Sequence, residues 1–266
     1  DGGADPEPPV HAAWKASLVT PGDVDNVSNW VGASPDGRYV AYHAYQPVVG
    51  GAPSPSGGAL YLEDRRTGAA EYLAPMSGGS EAGPRVSRGG DVVVFRASRE
   101  QGIGVWSRST GEVTYPFAGN GLDYVMFPDV SANGRYVLAF GTRRVDGDPQ
   151  AVVEVYDRST RAVKRLLTHW GGYGSPGAIS GDGRYVAFIS LDDDLAPWDD
   201  NDDFDLFTWD TQTGEIYRHA FPGGSLEGGV DIDHDGDRVT AHVRGPYGAV
   251  IAWWSRTGVS PISHTE

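Results

Sequence analysis

No cysteine occurs among the 266 residues, which excludes disulfide staples, thiolate metal sites and a cysteine nucleophile. No apolar run approaches the eighteen or so residues that cross a bilayer as a helix, so no membrane span is expected. Apolar residues nowhere recur with the sustained 3.6-residue period of an amphipathic helix. The G-x-S-x-G elbow of serine hydrolases is also missing. Basic residues are few: 21 Lys and Arg stand against 36 Asp and Glu, a net charge of -15. Nucleic acid is therefore not an expected partner, because phosphate binding needs clustered Lys and Arg that release counterions. A cationic partner, a metal ion or solubility alone accounts better for such an excess. What the chain has instead is 38 glycines, 18 prolines and 11% aromatic residues, the composition of a globular protein rich in turns.

Those turns repeat. "SPDGRYVAYHA" at 34–44 returns as "SANGRYVLAFG" at 131–141 and "SGDGRYVAFIS" at 180–190, with weaker copies "SRGGDVVVFRA" at 87–97 and "DHDGDRVTAHV" at 233–243. Their first residues, Ser34, Ser87, Ser131, Ser180 and Asp233, lie 53, 44, 49 and 53 positions apart. A second element follows each copy, as in "LYLEDRRTGAAEYL" from Leu60 and "LFTWDTQTGEIYRH" from Leu206. Asp or Asn followed by Gly supplies the positive φ of a tight turn, and the residues after it alternate with the period of two that marks a half-buried strand. The second element reads as a hairpin around a D-x-x-T-G turn, and short runs such as "PGAIS" and "PDVS" ahead of the first turn complete four strands.

Four short antiparallel strands repeated about every fifty residues predict propeller blades, since each small sheet covers its faces only by packing on its neighbours. The expected fold is all-β: a five-bladed β-propeller of four-stranded antiparallel blades. Residues 14–266 are expected to form this single propeller, with "WKASLVT" at 14–20 closing the ring against the last blade. The polar, acidic opening "DGGADPEPP" resembles a linker left after processing, so residues 1–13 are expected to be a flexible leader and the protein to be secreted or in the cell envelope. A monomer is expected.

The S-x-D-G-[RK]-x-[VI]-A-F turn and strand, followed by [LV]-[FY]-x-x-D-x-x-T-G, resembles the bacterial β-propeller repeat of the TolB C-terminal type over roughly residues 28–263. The same repeat builds the propeller domains of prolyl oligopeptidases and of oligogalacturonate lyases. The resemblance implies an envelope or secreted protein that binds other proteins. It leaves the activity open, because a propeller is a scaffold for unrelated functions.

The tight turns are expected to crowd one face of the disc, leaving the opposite, loop-rich face and the central channel for a ligand. Aligned by their turns, the repeats place Gly32, Arg85, Asp129, Ala178 and Asp231 at one register of the innermost strand. That predicts a polar ring that is either a balanced, water-filled channel or a ligand pocket. A second register holds His43, Arg96, Phe140, Ile189 and His242. His43 and His242 would meet on neighbouring blades of a closed ring, to bind a metal, to exchange protons or simply to pack. Trp30 and Phe127 align at the start of innermost strands and, with Tyr124, supply flat rings suited to sugar or peptide. Candidate ligand residues are therefore Arg85, Asp129, Asp231, His43, His242, Arg96, Trp30 and Phe127.

"LDDDLAPWDDNDDFDLFTWD" at 191–210 carries eight acidic residues before Leu206. Carboxylates at that density repel one another unless they are solvated or bridged, and hard oxygen donors suit calcium. The segment resembles a secreted-propeller variant, L-V-P-x-D-x-N-x-x-x-D-[VL]-F, in which Asp199, Asn201 and Asp205 correspond to the first Asp, the Asn and the last Asp; the resemblance implies structural calcium. The favoured function is a binding module for a protein or carbohydrate partner. The alternative is a hydrolase or lyase acting on a carbohydrate or small molecule through Asp129, Asp231 and the two histidines, since glycoside hydrolysis needs two carboxylates facing the scissile bond.

Overall fold

A computed structural model describes residues 27–45, 48, 58–76, 83–168, 177–196, 204–219, 225–245, 248–255 and 258–261. These residues build five four-stranded antiparallel sheets, each in simple sequence order. The first sheet holds β1 (Val27–Ala33), β2 (Tyr39–Ala44), β3 (Ala59–Asp64) and β4 (Ala69–Pro75); the second holds β5 (Arg85–Val86), β6 (Val92–Arg96), β7 (Ile103–Ser107) and β8 (Glu112–Thr114). The third comprises β9 (Tyr124–Val130), β10 (Tyr136–Val145), β11 (Asp148–Asp157) and β12 (Ala162–Thr168). The fourth comprises β13 (Ala178–Ile179), β14 (Tyr185–Ser190), β15 (Asp205–Asp210) and β16 (Ile216–His219). The fifth comprises β17 (Ser225–Ile232), β18 (Arg238–Gly245), β19 (Gly248–Ser255) and β20 (Gly258–Pro261). The fifth sheet thus draws all four strands from its own repeat, while "WKASLVT" at 14–20, the expected closing strand, lies outside the described residues, as does the leader.

The repeated turn is held by its serine. In the first sheet the Ser34 N–H donates to the Tyr39 carbonyl at 2.8 Å, and Ser34 Oγ accepts from the Tyr39 N–H at 3.0 Å. The same side-chain bond recurs at Ser87, Ser131 and Ser180. In the fifth sheet Asp233 replaces serine, and its Oδ1 accepts from the Arg238 N–H at 3.1 Å. The following arginine then bridges two strands: Arg38 forks onto Asp64 at 3.1 and 2.7 Å, and Arg135 onto Asp157 at 2.9 and 2.7 Å. Arg184 repeats the pairing on Asp210. Arginine bonding holds the Asp64 carboxyl down at about 2. Solvent reaches the arginine of each pair and screens the attraction.

Packing between sheets explains the glycine and tyrosine of the repeat. A Cβ on Gly183 would fall 2.0 Å from the Tyr136 ring of the preceding sheet, and one on Gly236 would fall 2.2 Å from Tyr185. Gly90 meets Tyr39 in the same way, and Gly134 meets Val92. Each turn glycine also has positive φ, from 69° at Gly37 to 81° at Gly183, so it is doubly constrained. Four mixed apolar cores fill the four spaces between consecutive sheets, for example Leu60 and Leu62 against Val93, Phe95 and Trp106, and Phe188 and Phe207 against Leu138 and Val153. A fifth cluster, Tyr42, Ala44, Ala59 and Tyr61, belongs to the first sheet alone. Gly37 meets nothing within 4 Å among the described residues, and the fifth repeat carries Arg238 at the tyrosine position.

This contrast yields a prediction. Gly37→Ala carries only the left-handed backbone strain, about 1–2 kcal/mol, whereas Gly183→Ala adds a clash with an aromatic ring wedged in a core. Urea denaturation of both variants should show Gly183→Ala losing at least about 2 kcal/mol more than Gly37→Ala; equal losses would mean that the ring contact does not bind the sheets together.

Candidate functional site at the central cavity

The innermost strands of all five sheets line one cavity of about 670 Å³. Gly32, Arg85, Asp129, Ala178 and Asp231 all stand on its wall, so the predicted innermost register comes together there. Small residues on the wall reflect tight packing behind it. A Cβ on Gly32 would lie 1.9 Å from the Pro84 carbonyl oxygen of the second sheet.

The polar groups sit unevenly around this wall. Asp129 ties three sheets together: its Oδ1 accepts from the Val130 N–H at 2.9 Å, its Oδ2 accepts from the Ile179 N–H of the fourth sheet at 2.9 Å, and Arg85 of the second sheet lies 3.9 Å away. Burial penalises its charge more than these partners favour it, and pushes its pKa up to about 6. Asp231 is exposed; its Oδ1 accepts from the Ile232 N–H at 2.8 Å, repeating the Asp129 to Val130 bond. The second sheet supplies both cavity arginines, Arg85 and Arg88.

The cavity extends to the D-G turns, the end expected to be crowded. Pro35, Arg88, Ala132, Gly181 and His234, each next after the first residue of its turn, line the wall there. Arg88 and His234 are exposed. Backbone bonds brace this end from sheet to sheet: Arg88 N–H to the Ala132 carbonyl, Ala132 N–H to the Gly181 carbonyl, and Asp182 N–H to the His234 carbonyl, each 2.9 Å. Pro35 has no N–H to extend the series to the second sheet. Arg88 and His234 escaped the sequence reading, although they occupy the one position of the S-x-D-G turn whose residue changes in every repeat.

The second register does not reach the cavity. His43 is buried in the interior of the first sheet, with its ring 4.7 Å from that of Tyr45 and against Gly58, where a Cβ would fall 2.1 Å from Nε2. His242 is half-buried on β18 opposite Ile251. Arg96 lays its guanidinium over the Tyr124 ring at 4.6 Å, joining the second and third sheets. These residues lie one strand outward of the axis-facing strand, so their side chains fill the packing within and between sheets.

Phe127 also stands off the cavity wall, in a bulge of β9 where the register with β10 shifts between Leu138 and Phe140. Its φ is 48°, whereas the matching position of the fifth sheet is Gly229 at 66°. A bulky residue in this conformation is strained, and such strain persists where the surrounding structure holds it. Trp30 lies in β1, whose register with β2 also shifts between Val27 and Val31; its side chain lies outside the described residues.

Of the acidic segment, Asp199 and Asn201 lie outside the described residues. Asp205 begins β15, is buried, and accepts on Oδ2 from Arg218 Nε at 2.9 Å and Nη2 at 2.6 Å. Among the described residues no group of three or more His, Asp or Glu could hold a metal ion, and no helix is long and apolar enough to cross a membrane.

Comparison with solved structures defines the class of fold as a β-propeller. TolB from Acinetobacter baumannii is 21% identical with a TM-score of 0.56, over 91% of this chain and 56% of that one. The β-propeller domain of the Trilobed protease from Pyrococcus furiosus, described as having an open velcro topology, is 14% identical with a TM-score of 0.61, over 89% and 70%. An oligogalacturonate lyase in complex with manganese is 15% identical with a TM-score of 0.63, over 92% and 68%. This chain therefore has a TolB-like β-propeller fold and spans about half the length of the TolB chain it matches. No family model matches it, nor does any curated protein.

The Asp129 environment makes a pH prediction. Its folded pKa, about 6, lies above the ordinary value of 3.8, so its contribution to stability is complete below about pH 4 and is lost as pH rises through about 6. Asp129→Asn cannot ionise. The stability of the wild type relative to this variant should fall between pH 4 and pH 7 in thermal unfolding series, and a difference flat with pH would mean that Asp129 titrates as an exposed carboxylate.

Proposed function

We propose that the chain is a five-bladed propeller, closed as a ring, that acts as a binding module for a protein or carbohydrate partner engaging the central cavity and the loop-rich face. The observation that carries this reading is the state of Asp129, whose two oxygens both accept backbone N–H groups. A carboxylate whose two oxygens each hold a backbone N–H is fixed by the scaffold it braces, whereas a general acid or base must reach the reacting proton. The likeness to TolB supports a secreted or cell-envelope location, and calcium at Asp199, Asn201 and Asp205 remains part of the reading as a structural ion.

The enzyme reading, a hydrolase or lyase, draws on a different property of the same residue: a carboxyl that titrates near pH 6 is poised for proton transfer. The two readings separate by magnitude. With a panel of polysaccharides and cell-envelope proteins, Asp129→Asn and Asp231→Asn should each weaken binding by about tenfold or less and release no product. A turnover that either substitution cuts by about a hundredfold or more would replace the binding reading with the enzyme.

Calcium has its own test. Chelator should lower the melting temperature of the wild type, and added calcium should restore it, while Asp199→Asn should be insensitive to both. A wild type indifferent to chelator would leave the acidic segment as a solvated loop.

A further inference from the structure

The cavity wall is electrically polar. Arg85 and Arg88 both come from the second sheet, while Asp231 comes from the fifth and Asp129 from the third between them in chain order. Neither arginine is neutralised by a tight partner. Arg85 approaches Asp129 only to 3.9 Å with its side chain 49% exposed, and the Arg88 guanidinium makes no hydrogen bond or ion pair among the described residues. Asp231 uses Oδ1 on its own neighbour's N–H and leaves Oδ2 without a donor among the described residues.

Arg88, without an ion-pair partner among the described residues, and Arg85, which meets Asp129 only at 3.9 Å, offer guanidinium donors to an anionic group against the negative field of the rest of the protein. Asp231, on another wall of the same cavity, disfavours a ligand that is anionic throughout and favours an ammonium. The cavity of about 670 Å³ lies in the range of small-ligand sites.

We infer that the central cavity binds a small zwitterion, an amino acid or short peptide whose carboxylate faces Arg85 and Arg88 and whose ammonium faces Asp231. This rests on the reading of the cavity as a ligand site and adds the chemistry of what enters it. Asp129, whose two oxygens each already accept a backbone N–H, leaves Asp231 as the carboxylate more open to the ammonium.

The test uses calorimetric titration of the full chain with L-leucine and L-leucyl-L-leucine, each beside its N-acetyl form, which keeps only the negative charge, and its amide, which keeps only the positive. At least one zwitterion should bind, with both of its derivatives at least about tenfold weaker. Arg88→Gln should abolish the penalty for amidation and Asp231→Asn the penalty for acetylation, while thermal unfolding stays unchanged because both side chains are exposed. The inference is overturned if neither zwitterion binds in the millimolar range, if the three forms of each bind alike, or if inorganic phosphate binds with a dependence on Arg88 and none on Asp231, which would make the cavity a plain anion site. If the zwitterions fail while Asp129→Asn still weakens the binding of a polysaccharide or protein partner, the cavity remains a ligand site and only its assigned chemistry falls.

Discussion

The contact on which the architecture depends is an aromatic ring pressed against a glycine of the next sheet. Tyr136 against Gly183 and Tyr185 against Gly236 leave no space for a Cβ. The glycines also supply the positive φ that the serine-held turn needs. Two demands therefore converge on one residue, and neither can be relaxed alone. This coupling explains why the sequence spells the turn so consistently. S-x-D-G-R-Y is at once a turn and the interlock between neighbours, and the arginine beside the tyrosine lies over its ring, as Arg184 does over Tyr185 at 4.9 Å.

Where the interlock changes, the joint changes with it. The second repeat places Val92 in the tyrosine position and Asp91 in the arginine position, and its packing partner is still a glycine, Gly134. The fifth repeat departs further. Arg238 stands where the ring belongs and lies over Trp253 of its own sheet at 5.8 Å, and Gly37 of the first sheet has nothing within 4 Å. The mixed apolar cores likewise join sheets one to two, two to three, three to four and four to five. A ring closed between the fifth and first sheets would thus be joined there by contacts of another kind than the four repeated ones.

Much of this was legible in the sequence because the signals are local. Positive φ at an Asp-Gly pair, alternation in "RYVAF" and the D-x-x-T-G hairpin each reside within a few residues, and repetition multiplies them. The central register was legible for the same reason: a fixed offset from each turn carries Arg85, Asp129 and Asp231 to one wall. The second register was less legible, because an offset sets the strand and its height but not the direction of packing. His43 keeps its register and yet points into the interior against Gly58, a partner far along the chain that no spacing announces. The backbone strain of Phe127 is visible only beside Gly229 in the equivalent bulge.

The residues missed at the turn end of the cavity follow from the interlock itself. Ring contact and the serine bond fix the first, fourth and sixth positions of the turn, and the arginine bridge constrains the fifth in the first, third and fourth repeats. At the second position Arg88, Ala132, Gly181 and His234 take part through their backbone in the bonds between sheets, and the side chain there varies in every repeat, Pro35 included, without disturbing the scaffold. A position whose main chain is structural and whose side chain points to a shared cavity is where a repeat protein can differentiate its subunits of sequence at little cost in stability. The invariance of the turn and the variety at its second position are therefore two results of one constraint, and the uneven charge of the cavity is built from the residues that the constraint leaves unassigned.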